Sequence, residues 1–315
     1  MLHKWIVLAF CLLLNACAAT GVRETVQNTS LPRQHELTQT PFFPQSLYHC
    51  GPAALATALN AVEIRVTQEQ LVPEVYIPAR QGSLQIEMLA AARRHGALAI
   101  KVAPKLDAVL AEVASGNVVV VMQNLGLSWV PSWHYAVVVG YNLDRELVWL
   151  RSGTYERFEM SLSAFQRTWA RSNYWAFVAL KPGNLPKADD PDAVAKAIVA
   201  FENNASKTDI YLAYDAAATR WPKHLVLLMG LGNSAYALGQ YADAVRAFRS
   251  ATIAHPNSAA AYNNLANVLL LQGDAVAAKD AAEKALQLTQ ADPALRVEVS
   301  KTVDEVNAYI KKSPH

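Results

Sequence analysis

Shifted by 34 positions, the C-terminal part of this 315-residue chain falls back on itself. Leu231 lands on Leu265, Asn233 on Asn267, Gly239 on Gly273, Ala244 on Ala278, Ala251 on Ala285 and Pro222 on Pro256. A period of this length, with glycine inside the unit and proline at its close, fits two helices per unit. The glycine stops the first helix and the proline follows the second. Such a hairpin of helices buries its small-residue face only by stacking on the next unit. The prediction is therefore an all-α stack over 193–315. Two repeats are clear, at about 224–256 and 258–291. Residues 193–222 read as a degenerate preceding unit, since Ala217 and Pro222 already sit in phase, and 293–311 read as a capping helix.

This pattern resembles the tetratricopeptide repeat, which implies a face that holds a peptide or a protein partner. Upstream, residues 181–192 (KPGNLPKADDPD) carry three prolines, a glycine and three aspartates and read as a linker. Between 41 and 180 the chain mixes two kinds of segment. Helix formers fill 53–61, 84–95 and 106–114, with Ser83 as a candidate N-cap and Gly96 and Gly116 as stops. Valine and aromatic runs at 117–123, 134–141, 146–150 and 174–180 predict strands, with a hairpin turn at 142–145. Helices first and antiparallel strands second indicate an α+β domain.

The first twenty residues form a short basic start, an apolar run from 5 to 14, and then small residues. That run is shorter than the roughly 20 apolar residues a spanning helix needs. Leu14-Asn15-Ala16-Cys17 resembles a bacterial lipobox. The resemblance implies removal of a signal peptide, 1–16, and lipidation of Cys17 as a membrane anchor. With Ala18 rather than Asp next, it implies the outer membrane, with the domains facing the periplasm. An ordinary signal peptide with a chance cysteine is the alternative. Residues 17–40 are polar and aperiodic and read as a tether. The 28 Lys+Arg nearly balance 26 Asp+Glu, which argues against a dedicated nucleic-acid binder. Cysteines occur only at 11, 17 and 50, which excludes a four-thiolate zinc site and a disulfide framework. No cofactor or metal is expected.

Once Cys17 is acylated, Cys50 is the one free thiol of the mature chain. It sits in FFPQSLYHCGPAAL, where an extended segment turns into a helix. Gly51 gives the backbone room there, and Pro52 suits the first helical position, where its missing N–H costs nothing. The positive end of a helix dipole favours thiolate, the nucleophilic form. Gln45, five residues upstream, is placed to join the Cys50 N–H in an oxyanion hole. His134, 84 residues downstream, opens a strand and supplies a base. The order Gln, Cys, His is that of papain-like cysteine peptidases. A buried inert cysteine and a hydrogen-bonded strand histidine are the plain alternatives.

FPQ…CGPAAL followed by HYAVVVGY resembles the bacteriocin-processing cysteine peptidases, papain-like domains that cut double-glycine leader peptides. The resemblance spans about 41–180. It implies Cys50 as nucleophile, His134 as general base and Gln45 as oxyanion residue, acting on a peptide or protein substrate. The combination with a lipoprotein signal and trailing repeats resembles lipid-anchored peptidases of Gram-negative bacteria. Two features depart from the family. There is no spanning helix or phosphate loop of a fused exporter. Where the family carries an Asp after the histidine strand, this chain reads Leu150-Arg151-Ser152-Gly153. Ser152 is a weaker candidate to orient the imidazole, and Asn142 and Asp144 fall in the turn at the far end. His49 reads as a groove-wall or surface residue. Of the tryptophans, Trp129 and Trp133, in the irregular GLSWVPSW, are candidates for a substrate groove. A peptidase that recruits substrate through its repeats, an inactive peptidase fold serving as a scaffold, and a papain-fold acyltransferase all remain compatible with the sequence.

Overall fold

The computed structural model describes residues 22–45, 48–289 and 292–312. The signal peptide and Cys17 lie outside the described residues. The chain divides into two compact units, one running to Lys181 and including Pro186–Ala193, the other comprising Pro182–Leu185 and Val194–His315.

The first unit is a helix-and-sheet domain. A helix over 22–28, α1, leads to β1 (Gln34–Glu36). Next come α2 (Cys50–Ala61), α3 (Gln68–Val75), the two-residue strands β2 (Tyr76–Ile77) and β3 (Gly82–Ser83), and α4 (Gln85–Arg94). The chain continues through β4 (Leu98–Lys101), α5 (Leu106–Ala114), β5 (Val119–Asn124), β6 (Trp133–Asn142), β7 (Leu147–Ser152), β8 (Tyr155–Ser161), α6 (Leu162–Ala170) and β9 (Ala176–Leu180). The main sheet is antiparallel in the order β4-β9-β5-β6-β7-β8. β1 pairs with β6 over the stretch 140–142, beyond the residues of β6 that β5 occupies. Along α2, Cys50 through Leu59 are all buried, so this helix is apolar on every side and forms the centre of the core. Its Leu55 and Leu59 share one cluster with Met88, Val137, Trp149 and Phe177, each at 1% exposure or less.

Several expectations need correction. Of the expected tether 17–40, the described residues 22–40 are not free: Val22 is buried, β1 joins the sheet, and Leu37 donates to the Val139 carbonyl. The reason is the β6 edge at 139–142, whose polar backbone atoms need partners. Arg157 clamps the added strand through two bonds to Glu36, at 2.7 and 3.0 Å. Ser83 does not cap α4. It lies in β3 opposite Tyr76, and Leu84 is the N-cap residue. The residues expected to link the units are also partly built in. Pro186 is buried, the Ala188 N–H donates to Glu112 Oε1 at 3.0 Å, and α7 starts at Pro191.

The second unit is all helical: α7 (Pro191–Phe201), α8 (Lys207–Arg220), α9 (Leu225–Ala237), α10 (Tyr241–Ala254), α11 (Ala259–Leu271), α12 (Ala275–Leu288) and α13 (Pro293–Lys312). The in-phase glycines do what the period requires. Gly239 and Gly273 adopt φ of +74° and +82° in the turns between paired helices. Gly230 serves close packing instead, since a Cβ there would lie 2.2 Å from the Tyr214 ring. Among the described residues no helix is long and apolar enough to cross a membrane.

Candidate active site

Cys50 is the first residue of α2, and the helix opens with the Ala53 N–H bonded to the His49 carbonyl at 3.1 Å. Pro52 is third rather than first in the helix, still within the turn where a missing N–H costs nothing. Gly51 is required by space. A Cβ on it would meet Ser83 Oγ at 2.2 Å and Ser83 Cβ at 2.6 Å, so β3 lies directly against the helix start. Tyr48, two residues before the thiol, holds φ at +65°, a strained turn for a tyrosine that redirects the chain into the helix.

The structure brings Gln45, Cys50 and His134 to one cleft of about 690 Å³. Pro131, Ser132, Trp133 and Met122 form one side, and the loop of Arg80 to Gln85 contributes another. Among the described residues no carboxylate lines it, and Arg80 is the one formally charged side chain there. Gln45 is held by its own N–H, which donates to the Gly153 carbonyl at 3.1 Å. Gln45, Cys50, Arg151 and Ser152 also line one small adjoining cavity. The His134 ring meets Ser152 through Nε2, 2.9 Å from Oγ. Ser152 thus stands where the sequence left the orienting residue open. Asn142 and Asp144 lie at the other end of β6, bonded to Gln34 and Arg33.

The electrostatics differ from the helix-dipole expectation. Burial pushes the Cys50 thiol above its ordinary value of 9.0, although the N–H groups of Tyr135, Gly51 and Cys50 itself reach the sulfur and pull the other way. Burial also lowers the His134 pKa below 6.5. Both shifts favour a neutral thiol and a neutral imidazole over an ion pair. One turn of helix dipole offers less than the loss of water takes away.

Trp133 lines the cleft. Trp129 does not; it stands at 78% exposure on the loop before β6. The His49 ring packs edge-on against Tyr76, centroids 4.7 Å apart. Sequence reading missed Arg151. Arg151 is only 6% exposed as a residue, and its guanidinium donates to the Thr40 carbonyl at 3.0 Å and to those of Thr38 and Glu156. It ties the segment leading to Gln45 onto the strand that carries Ser152. A charge at the end of the hydrophobic run LVWL was the available signal, since a buried arginine survives only with partners. Among the described residues no cluster of three His, Cys, Asp or Glu is placed for a metal.

The fold is an α+β sheet domain followed by a helical repeat domain. Residues 26–176 match the Peptidase_C39 like family, and residues 229–294 match the tetratricopeptide repeat. The chain thus combines a C39-like peptidase fold with tetratricopeptide repeats. Among solved structures, a putative C39-like peptidase from Bacillus anthracis shares 17% identity at a TM-score of 0.40, covering 47% of this chain and 98% of that one. The type III secretion translocator chaperone SycD of Yersinia enterocolitica shares 17% at 0.35, covering 38% and 83%. PcrH of Pseudomonas aeruginosa shares 18% at 0.36, covering 38% and 94%. No functionally curated protein matches the chain.

Proposed function

We propose that the chain is a lipid-anchored cysteine peptidase of the bacterial cell envelope, held at Cys17 on the periplasmic face of the outer membrane. The observation that carries the reading is the bond to Ser152 of a histidine, His134, that shares one cleft with Cys50 and Gln45. With Nε2–H donating to Ser152 Oγ, Nδ1 keeps its lone pair and serves as base. The thiol proton passes to Nδ1 as the sulfur attacks a peptide carbonyl carbon. The carbonyl oxygen takes up the negative charge facing the Gln45 side-chain amide and the Cys50 N–H. Collapse breaks the C–N bond, and the imidazolium protonates the departing amine. Water, deprotonated by the same ring, then hydrolyses the thioester and restores the thiol. A neutral starting pair suits this sequence, because charge appears only as the bond forms.

The repeat domain recruits the substrate or a partner. Asn233, Asn264, Asn267 and Tyr236 line a groove of about 350 Å³ there, and a primary amide pairs with a peptide backbone as both donor and acceptor. A second reading, an inactive scaffold, draws on the missing carboxylate and the raised thiol pKa.

Cleavage assays separate the two. The full chain should generate new amino termini in envelope proteins, and Cys50→Ala should abolish them. A chain ending after Ala193, the last residue of the first unit, should keep cleaving short peptides while losing protein substrates. No new termini with the full chain would leave the scaffold reading.

A further inference from the structure

The β2–β3 hairpin, with Tyr76 opposite Ser83 and Ile77 opposite Gly82, carries its connecting turn into one wall of the catalytic cleft. Both strands are pinned beside the nucleophile. The Tyr76 ring meets His49, the residue before Cys50, edge-on. Ser83 lies against Gly51, the residue after it, and the Ser83 carbonyl accepts from the Tyr135 hydroxyl at 3.2 Å. The connection is a single 3-10 turn over Pro78–Arg80, closed by the Gln81 N–H on the Pro78 carbonyl at 3.1 Å. Proline fixes φ at its start and Gln81 holds φ of +48° at its end, so few conformations are open to it.

That turn presents Arg80. The residue is exposed, and among the described residues its guanidinium makes no ion pair or hydrogen bond. No carboxylate of the described residues lines the cleft to neutralise it, and Met122, Pro131 and Trp133 give the cleft an apolar share. A cation on the wall of such a cleft attracts a carboxylate more strongly than the same cation on open surface. The planar fork of arginine also matches the two oxygens of a carboxylate. Its place on the hairpin sets the register. Arg80 is three Cα steps from Ser83, at most about 11 Å, which is three to four residues of extended peptide.

We infer that Arg80 reads a carboxylate side chain of the substrate, Asp or Glu, within about four residues of the cleaved bond. The preferred substrates are then peptides that carry an acidic residue among apolar ones, the apolar side chains packing on Met122, Pro131 and Trp133. This rests on the peptidase reading of the same cleft, and the test has an arm that does not need it. Because the turn is already held in place, binding spends little conformational freedom on it. A pair this open to water contributes modestly, about fivefold in kcat/KM, and weakens as salt is raised.

The full chain is given a peptide library, and the new termini are read by mass spectrometry. Acidic residues should be enriched at one fixed position within about four residues of the cleaved bond. Two peptides that differ only by Glu or Gln at that position are then compared. The Glu form should be cleaved about fivefold more efficiently at low salt, with the ratio falling towards one at about 0.5 M salt. Arg80→Gln should bring the ratio to one at low salt, and Arg80→Glu should turn the preference to a Lys form of the same peptide. A wild-type ratio of one, or a ratio that persists in Arg80→Gln because both peptides lose equally, overturns the inference. If the full chain cleaves nothing, the peptidase reading fails and binding decides. A fluorescein-labelled peptide alternating Glu with Leu should then bind the full chain about fivefold more tightly than its Gln counterpart by anisotropy, and Arg80→Gln should remove the difference. Equal or absent binding of the two, or a Glu preference unmoved by Arg80→Gln, overturns the inference on that arm.

Discussion

Replacing Ser152 by alanine tests how the imidazole is held. The only side-chain bond described for the His134 ring is the 2.9 Å contact with Ser152 Oγ, and neither group is charged. A neutral bond contributes about 0.5–1.5 kcal/mol net, and a donor left buried and unpaired costs about 1–3 kcal/mol. Ser152 is only half-buried, so water can replace the lost hydroxyl. The lower part of that range applies, about 1.4 kcal/mol, or roughly tenfold in kcat/KM at unchanged KM. A peptide cleaved by the full chain provides the assay, with thermal denaturation run alongside to show that the fold is intact. Ser152→Asp gives the opposite sign. Its carboxylate stabilises the imidazolium, so the acid limb of the pH profile should move up from its position below 6.5. A Ser152→Ala enzyme within twofold of wild type would refute the positioning role. A thousandfold loss would also refute it, because one neutral hydrogen bond cannot supply that much.

Other consequences follow from the same contacts. The thiol is pushed above 9.0, so thiolate absorbance near 240 nm should be absent at neutral pH and rise only above that value; a signal already present at pH 6 would mean an ion pair. Arg151→Met removes the donors that hold Thr38, Thr40 and the Glu156 carbonyl, and leaves their oxygens unpaired. It should lower both the melting temperature and kcat by displacing Gln45, and Arg151→Lys should restore little because the donor fork is lost. In the repeats, Gly230→Ala drives a methyl into the Tyr214 ring. Overpacking of about 1–3 kcal/mol should outweigh a helix-propensity gain of about 1 kcal/mol, so calorimetry should show a lower melting temperature for the second unit.

What the sequence disclosed depended on how each element is stabilised. The repeats were legible because their glycines and prolines recur in phase with a small-residue face. Helix α2 and strands β5, β6 and β9 were legible because both faces are buried and apolar. β8 escaped notice: YERFEMS carries its charges on an edge strand, where pairing with β7 matters more than burial. β1 is three polar residues, QHE, held by a partner 106 positions away, and no local pattern announces that. Helix α3 carries a full capping box, Thr67 with Gln70, and this signal was present but overlooked beside Pro73. At the site, Gln45, Cys50 and His134 could be named from spacing and residue type. The environment that sets their protonation could not, since burial is a property of the whole fold.

The central claim is that Cys50 is a nucleophile served by His134. A peptidyl epoxide that forms a thioether with cysteine tests it on the full chain, read by intact mass and peptide mapping. The account predicts one adduct, at Cys50, with the rate reduced about a hundredfold or more in His134→Ala. Labelling that is absent from the wild type, or that proceeds equally fast without His134, would contradict it.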